Sequence, residues 1–270
     1  MEVTTTQEVE VPRGTHTSAL DGPPGDGHPP DQTLARTGWS MRRASATAGI
    51  GLVLMIVPAL VGNFVAVEGL VTPGDAARTA ADITASEGLF RFGIANLFAV
   101  VLLDVVVAVA LYRVFRPVSA GASTLAAAAR LVYAGIFMVA ISQLAGVANL
   151  LGSPESVAVL GSEQAQAQAW LGIDSYHDTW NAGLLLFGLH LLLLAWLAWR
   201  SGYVPKVLAA LLAVAGVGYA FDSVAAVLVG HGAPTIAEFT FLGEVLLAVW
   251  LIAWSRRLPR GQARPRGARA

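Results

Sequence analysis

Five ionisable residues stand inside long apolar runs of this 270-residue chain: Asp104, Arg130, His190, Asp222 and Glu244. Asn96 and Gln143 add neutral amides to runs of the same kind. A carboxylate left alone in hydrocarbon costs at least ~2.5 kcal/mol even on the most lenient insertion scale, so each such group must be paired, neutralised or wetted. Carboxylates beside an imidazole can pass a proton or hold a cation: two acids at one level repel, one keeps its proton, and a histidine can share it. With His177 and His231 added, the same residue types suit zinc. Their spacing matches no ligand signature and no HExxH occurs, so no metal and no cofactor is assigned.

The elements that must hold these residues follow from composition. Hydrophobic residues make up 55% of the chain and charged residues only 13%, about half the share of a soluble domain. The solvent for most of the chain is therefore lipid. Cysteine is absent, which removes disulfides, thiolate metal sites and a thiol nucleophile. Six segments reach the ~20 residues that a ~30 Å hydrocarbon core requires: 44–67, 89–112, 125–151, 179–199, 207–229 and 236–254. None alternates with period two, so the spans are helices and a barrel is excluded. The expected fold is an all-α, polytopic bundle of six transmembrane helices.

Charge sets the expected orientation. Placing both termini in the cytoplasm puts fifteen of the seventeen basic residues inside and leaves only Arg78 and Arg91 outside. Acids such as Glu68, Asp75, Asp82, Glu155, Asp174 and Glu238 fill the opposite loops, so N-in/C-in is expected. Trp196, Trp199, Trp250 and Trp254 fall at inner ends and Trp170 and Trp180 near outer ones, as interfacial rings do. Residues 1–38 mix Pro, Gly, Thr and acids without apolar periodicity and read as a disordered cytoplasmic tail. Residues 39–255 carry the membrane domain and 256–270 a basic cytoplasmic tail. Its six arginines fix topology or meet anionic lipid. No folded basic module for nucleic acid is present. The outer loops at 72–86 and 154–174 carry helix-start signals and read as short surface helices. The small residues of Ala44 to Gly51 suit close helix approach, and Pro58 should kink the first span.

Depth sorts the ionisable groups into two sets. Asp104 lies eight residues before the inner end of its span, ~12 Å, and Arg130 five residues into the next, ~8 Å. These two are expected to form an inner-leaflet ion pair, with the arginine snorkelling towards the headgroups. Asp222 and Glu244 lie ~10 and ~12 Å from the outer surface and His190 ~16 Å, with Asn96 and Gln143 at comparable levels. One shared polar chamber is the expectation. Two readings of it stay open: a proton-coupled or cation site near the midplane, or interhelical hydrogen bonds that satisfy one another.

Several short runs carry a resemblance. They are Glu87 to Gly93 (EGLFRFG), Ala110 to Val118 (ALYRVFRPV), Ala129-Arg130-Leu131, Phe187-Gly-Leu-His190 and Arg200 to Pro205 (RSGYVP). Further along come Ala215 to Tyr219 (AGVGY) with Asp222-Ser223, and Gly243-Glu244 ahead of Trp250-Leu251. Together the runs resemble the bacterial membrane proteins grouped as the domain-of-unknown-function family numbered 4386, over roughly Arg43 to Trp254. The chain departs at Ala195-Trp196 and Ala209, where the family often has glycine. The resemblance implies a six-helix integral protein of the bacterial cytoplasmic membrane and brings no established activity. The absence of a Walker loop, a strand-linked GxGxxG and a GxSxG elbow disfavours ATP-driven transport, dinucleotide chemistry and hydrolase-fold chemistry. Three function classes remain: a small-solute or ion permease or an accessory subunit of one, a structural or signalling membrane component, and an intramembrane metal-dependent hydrolase. The polar layer favours the first.

Overall fold

A computed structural model of the chain describes residues 40–230, Ile236 and 242–257. The expectations for the tail at 1–38, for His231 and for the arginines beyond Arg257 lie outside the described residues, as does much of the connection into the last segment. The described residues are helical, with no strand among them. The elements are α1 (Met41–Ala59), α2 (Ala76–Ala85), α3 (Glu87–Phe115), α4 (Ala120–Leu151), α5 (Pro154–Leu160), α6 (Ser162–Ser201), α7 (Lys206–Val229) and α8 (Leu242–Arg257). Five stretches are long and apolar enough to cross a membrane: 41–70, 87–115, 120–151, 162–201 and 206–229. The sixth expected span, 236–254, is described as helix only over the 16 residues of α8.

Local sequence explains most helix ends. Ser40, Asp75, Ser119 and Ser153 each accept a hydrogen bond from the backbone N–H three residues on, which satisfies one of the free donors of a helix start. Asp75→Ala is expected to cost α2 about 1 kcal/mol, read as faster amide exchange across Ala76–Ala85. Gly202, at φ 71°, closes α6, a position a side chain would strain. Pro58 removes the donor to the Leu54 carbonyl, and the helix answers by widening to π geometry over Leu60–Val67 before a 3-10 turn at Glu68–Leu70.

The outer loops differ from expectation in one respect. Residues 76–85 do form a short helix, but the second loop does not stay apart from the span that follows. After α5 and Gly161 the chain enters α6 at Ser162 and runs 40 residues without a break, a length of ~60 Å. The run SEQAQAQAW contains strong helix formers and nothing that ends a helix. Ala165, Ala169 and Ile173 give it a buried stripe before the apolar part begins.

The five long helices and α8 pack in chain order, α1 on α3, α3 on α4, α4 on α6, α6 on α7 and α7 on α8, and α8 returns to α1. The ring therefore closes. Small residues make the last joint: Ala44, Ala48 and Gly49 are buried on α1, and a Cβ at Gly49 would meet the Ala248 carbonyl at 2.8 Å. Ser45 Oγ donates to the Leu251 carbonyl across it at 2.8 Å. Ser45→Ala should lower the detergent-solubilised unfolding midpoint by the equivalent of about 0.5–1.5 kcal/mol, with the loss confined to the α1–α8 contact.

Candidate intramembrane polar site

Inside this ring the central group is the guanidinium of Arg130, 2% exposed on α4. Its Nη2 stands 2.5 Å from Asp104 Oδ1 on α3. Its Nη1 lies 3.2 Å from His190 Nε2 on α6. Nη2 also approaches Met55 Sδ on α1 at 3.8 Å, and the guanidinium carbon sits 5.3 Å from the Phe187 ring centre on α6. Asp104 and His190 are themselves 2% and 1% exposed. The three polar groups share one dry level because of chain geometry. Asp104 is eleven residues from the end of α3, Arg130 ten from the start of α4, and His190 eleven from the end of α6. At 1.5 Å per residue each is ~15–17 Å from the same end of the bundle.

His190 is fixed by its two partners. Its Nδ1 lies 2.8 Å from the carbonyl of Ala126, an acceptor only, so Nδ1 carries the hydrogen. Nε2 then offers its lone pair to Arg130, a donor only. One imidazole thus holds both the arginine head and the carbonyl one turn before it on α4. The opposite side of the arginine is aromatic. Tyr133 and Phe187 approach to 4.8 Å between ring centres, and Trp180 Nε1 donates to the Tyr133 hydroxyl at 3.1 Å. His190→Leu would strand Arg130 Nη1, with an expected loss of about 1–3 kcal/mol in thermal unfolding of the solubilised protein.

The remaining helices add a second acid. The half-buried Glu244 of α8 faces the Tyr219 hydroxyl of α7, and Arg130 and Asp104 are the charged groups close enough to act on it. Met55 on α1, Asp104 on α3 and His190 and Phe187 on α6 thus touch the guanidinium, and Glu244 on α8, beside Tyr219 on α7, lies within its electrostatic reach.

Several expected placements differ. Arg130 does not snorkel, because Asp104 and His190 hold its head inside. The pair lies eleven and ten residues from the ends of α3 and α4 that meet near Pro117, a little further in than expected, because both helices run past the expected span ends at 112 and 125. His190 joins this pair and not Asp222. Asp222 instead accepts from the Ile236 backbone N–H at 2.9 and 3.1 Å, holding the chain just past the end of α7. Asn96 turns back onto its own helix, donating to the Phe92 carbonyl at 2.9 Å. Gln143 lies at a surface groove between α4 and α6, with Gln168 and Ser175. The single chamber expected for these five residues does not form. No group of three or more His, Asp or Glu side chains among the described residues is placed to hold a metal. Met55, Tyr133, Phe187 and Tyr219 are part of the site though none is a site candidate in the sequence, where Phe187 and Tyr219 stand only in the family runs, because an apolar or aromatic residue in a span carries no charge to draw notice.

A closed ring of long apolar helices around a buried ion pair defines a polytopic helical bundle of membrane-spanning type. The chain belongs to the family described as Domain of unknown function (DUF4386), which matches residues 47–254. It is 34% identical over 167 residues to an "Uncharacterized protein" of Archaeoglobus fulgidus, across 62% of this chain and 86% of that protein. No solved structure matches.

Proposed function

We propose that this protein is a six-pass component of the bacterial cytoplasmic membrane, N-in/C-in, acting as a small-solute or ion permease or as an accessory subunit of one, with the Arg130 cluster as its working site. One observation carries the reading: two carboxyls, Asp104 and Glu244, bear on a single guanidinium in the middle of the bundle. With both acids ionised and His190 neutral, the group holds one unit of negative charge where charge is most costly. Binding one proton or one monovalent cation brings it to zero. Such a site alternates between loaded and empty states, as coupled transport requires. The positive-inside count supports the orientation, and the arginines from Arg256 to Arg269 suit contact with anionic headgroups on the inner face.

The test uses vesicles containing the purified protein and a trapped pH-sensitive dye, with the potential clamped by valinomycin and potassium. An imposed pH step should relax faster than in empty vesicles, and Glu244→Gln should return the rate to that of empty vesicles. Wild-type protein that relaxes no faster than lipid alone overturns proton permeation. A second reading, a purely structural membrane component, draws on the Asp104–Arg130 contact between neighbouring helices, which as a clasp needs no exchange of anything. It predicts thermal destabilisation on mutation and no flux in any variant.

A further inference from the structure

The two sides of the Arg130 cluster are unlike. Towards the end of the bundle that carries Arg113, Arg116, Arg200 and Lys206, a crevice runs from His190 between α3, α4 and α6. Tyr112, Phe115, Ser123, Ala127 and Leu197 line it, and it contains about 180 Å³ of space not filled by atoms, spread too thinly to seat a water-sized sphere without side-chain movement. Ser123 Oγ faces this space 1% exposed and has no hydrogen-bond partner. A buried hydroxyl left so costs about 1–3 kcal/mol, and a serine in a helix ordinarily avoids this by bonding the preceding turn. Ser123 stands seven residues before Arg130 on α4, ~10 Å nearer that end of the bundle.

The other side is closed. Tyr133, Phe137, Tyr176, Trp180 and Phe187 form a continuous stack with ring centres 4.8–6.0 Å apart. The Trp180–Tyr133 hydrogen bond ties α6 to α4 within it, and Tyr176 donates to Asn63 Oδ1 at 2.9 Å, tying in the π-helical end of the first span. Opening this side means separating rings on two helices, whereas the crevice is bordered by the half-buried side chain of Tyr112.

We propose that the crevice is a one-sided access route for water and protons to the Arg130 cluster, with Ser123 as its relay hydroxyl and the aromatic stack as its seal. This rests on the proposed exchange at the cluster and adds the side from which it occurs. The charged and titratable groups meeting there are Asp104 from α3, Arg130 and Tyr133 from α4, His190 from α6, Tyr219 from α7 and Glu244 from α8. The ligand class is small, neutral and hydrogen-bonding, water first, since the lining carries hydroxyls and an imidazole but no full charge.

The cysteine-free sequence permits a direct test. Ser123→Cys and Phe137→Cys are each introduced alone and treated with 2-aminoethyl methanethiosulfonate from one side of sealed vesicles, with free cysteine as scavenger in the opposite compartment. Vesicles of both orientations are used. Ser123→Cys should react from the side bearing Arg113 and Arg116 at least about tenfold faster than Phe137→Cys reacts from either side, because side-chain rotation is more frequent than local unfolding. Ala127→Cys replaces Ser123→Cys if the latter does not elute as a single species. Equal rates, or no reaction at the crevice cysteine from either side, overturn the proposal. Labelling without proton flux would keep the route and remove the permease; flux without labelling would do the reverse.

Discussion

Arg130→Met lowers the stability of the solubilised protein by about 3–5 kcal/mol, and Asp104→Leu does the same. Each leaves one ion in a buried site with its partner gone: the Asp104 and Arg130 side chains are each only 3% exposed. The size comes from the unpaired charge and not from the lost attraction. The double variant Asp104→Leu/Arg130→Met removes both ions and fills the space with apolar atoms of similar volume. Its stability should return close to wild type, since replacing a whole buried pair by well-packed apolar groups is often neutral. His190 then loses its Nη1 partner but keeps the Ala126 carbonyl. Thermal unfolding followed by fluorescence-detected size exclusion checks all three, and additive losses in the double variant would mean the two residues do not act as a pair.

Gly216→Val is expected to be damaging for a different reason. A Cβ at Gly216 would lie 2.9 Å from the Gly188 carbonyl and 3.0 Å from the Leu192 backbone nitrogen, and one at Gly188 would lie 2.7 Å from the Gly216 carbonyl. The obstacles are backbone on both sides, so α6 and α7 must separate instead of repacking a side chain. Overpacking costs typically about 1–3 kcal/mol, and valine adds two further methyls to the Cβ that already clashes. Tyr219 lies one turn further along α7, so the separation also moves the hydroxyl that faces Glu244. Gly146→Ala on α4 is the contrasting case: nothing lies within 4 Å of its Cβ. It should be neutral or stabilising by up to about 1 kcal/mol. If both substitutions behave alike, α6 and α7 are not in backbone contact there.

Much of the fold was legible in the sequence because lipid simplifies the problem. Spans 89–112 and 125–151 fall within α3 and α4, and the sequence runs from Glu87 to Trp250 pointed to the family that the comparison finds. Depth counting put Asp104 and Arg130 at one level because both were measured from the same turn near Pro117. Each helix runs a few residues further into that turn than expected, so the errors cancel between the two residues. His190 stands at about the height expected of it, but its partners are Arg130 and the Ala126 carbonyl, which no count along α6 could name. Azimuth was not readable by any count. Asp222 and Asn96 sit at plausible depths and face other partners, because depth fixes height along a helix and says nothing of which neighbour it meets. The aromatic half of the site was hidden among rings that a membrane helix carries for many reasons.

On the proposed function the Arg130 cluster is what the protein works with and more than what holds it together. Proton flux through vesicles containing Asp104→Leu/Arg130→Met tests this most directly, because that variant is expected to fold while lacking the charges. A folded double variant whose pH relaxation falls to that of empty vesicles, beside a faster wild type, is the predicted result. A folded double variant that relaxes as fast as wild type would contradict the claim.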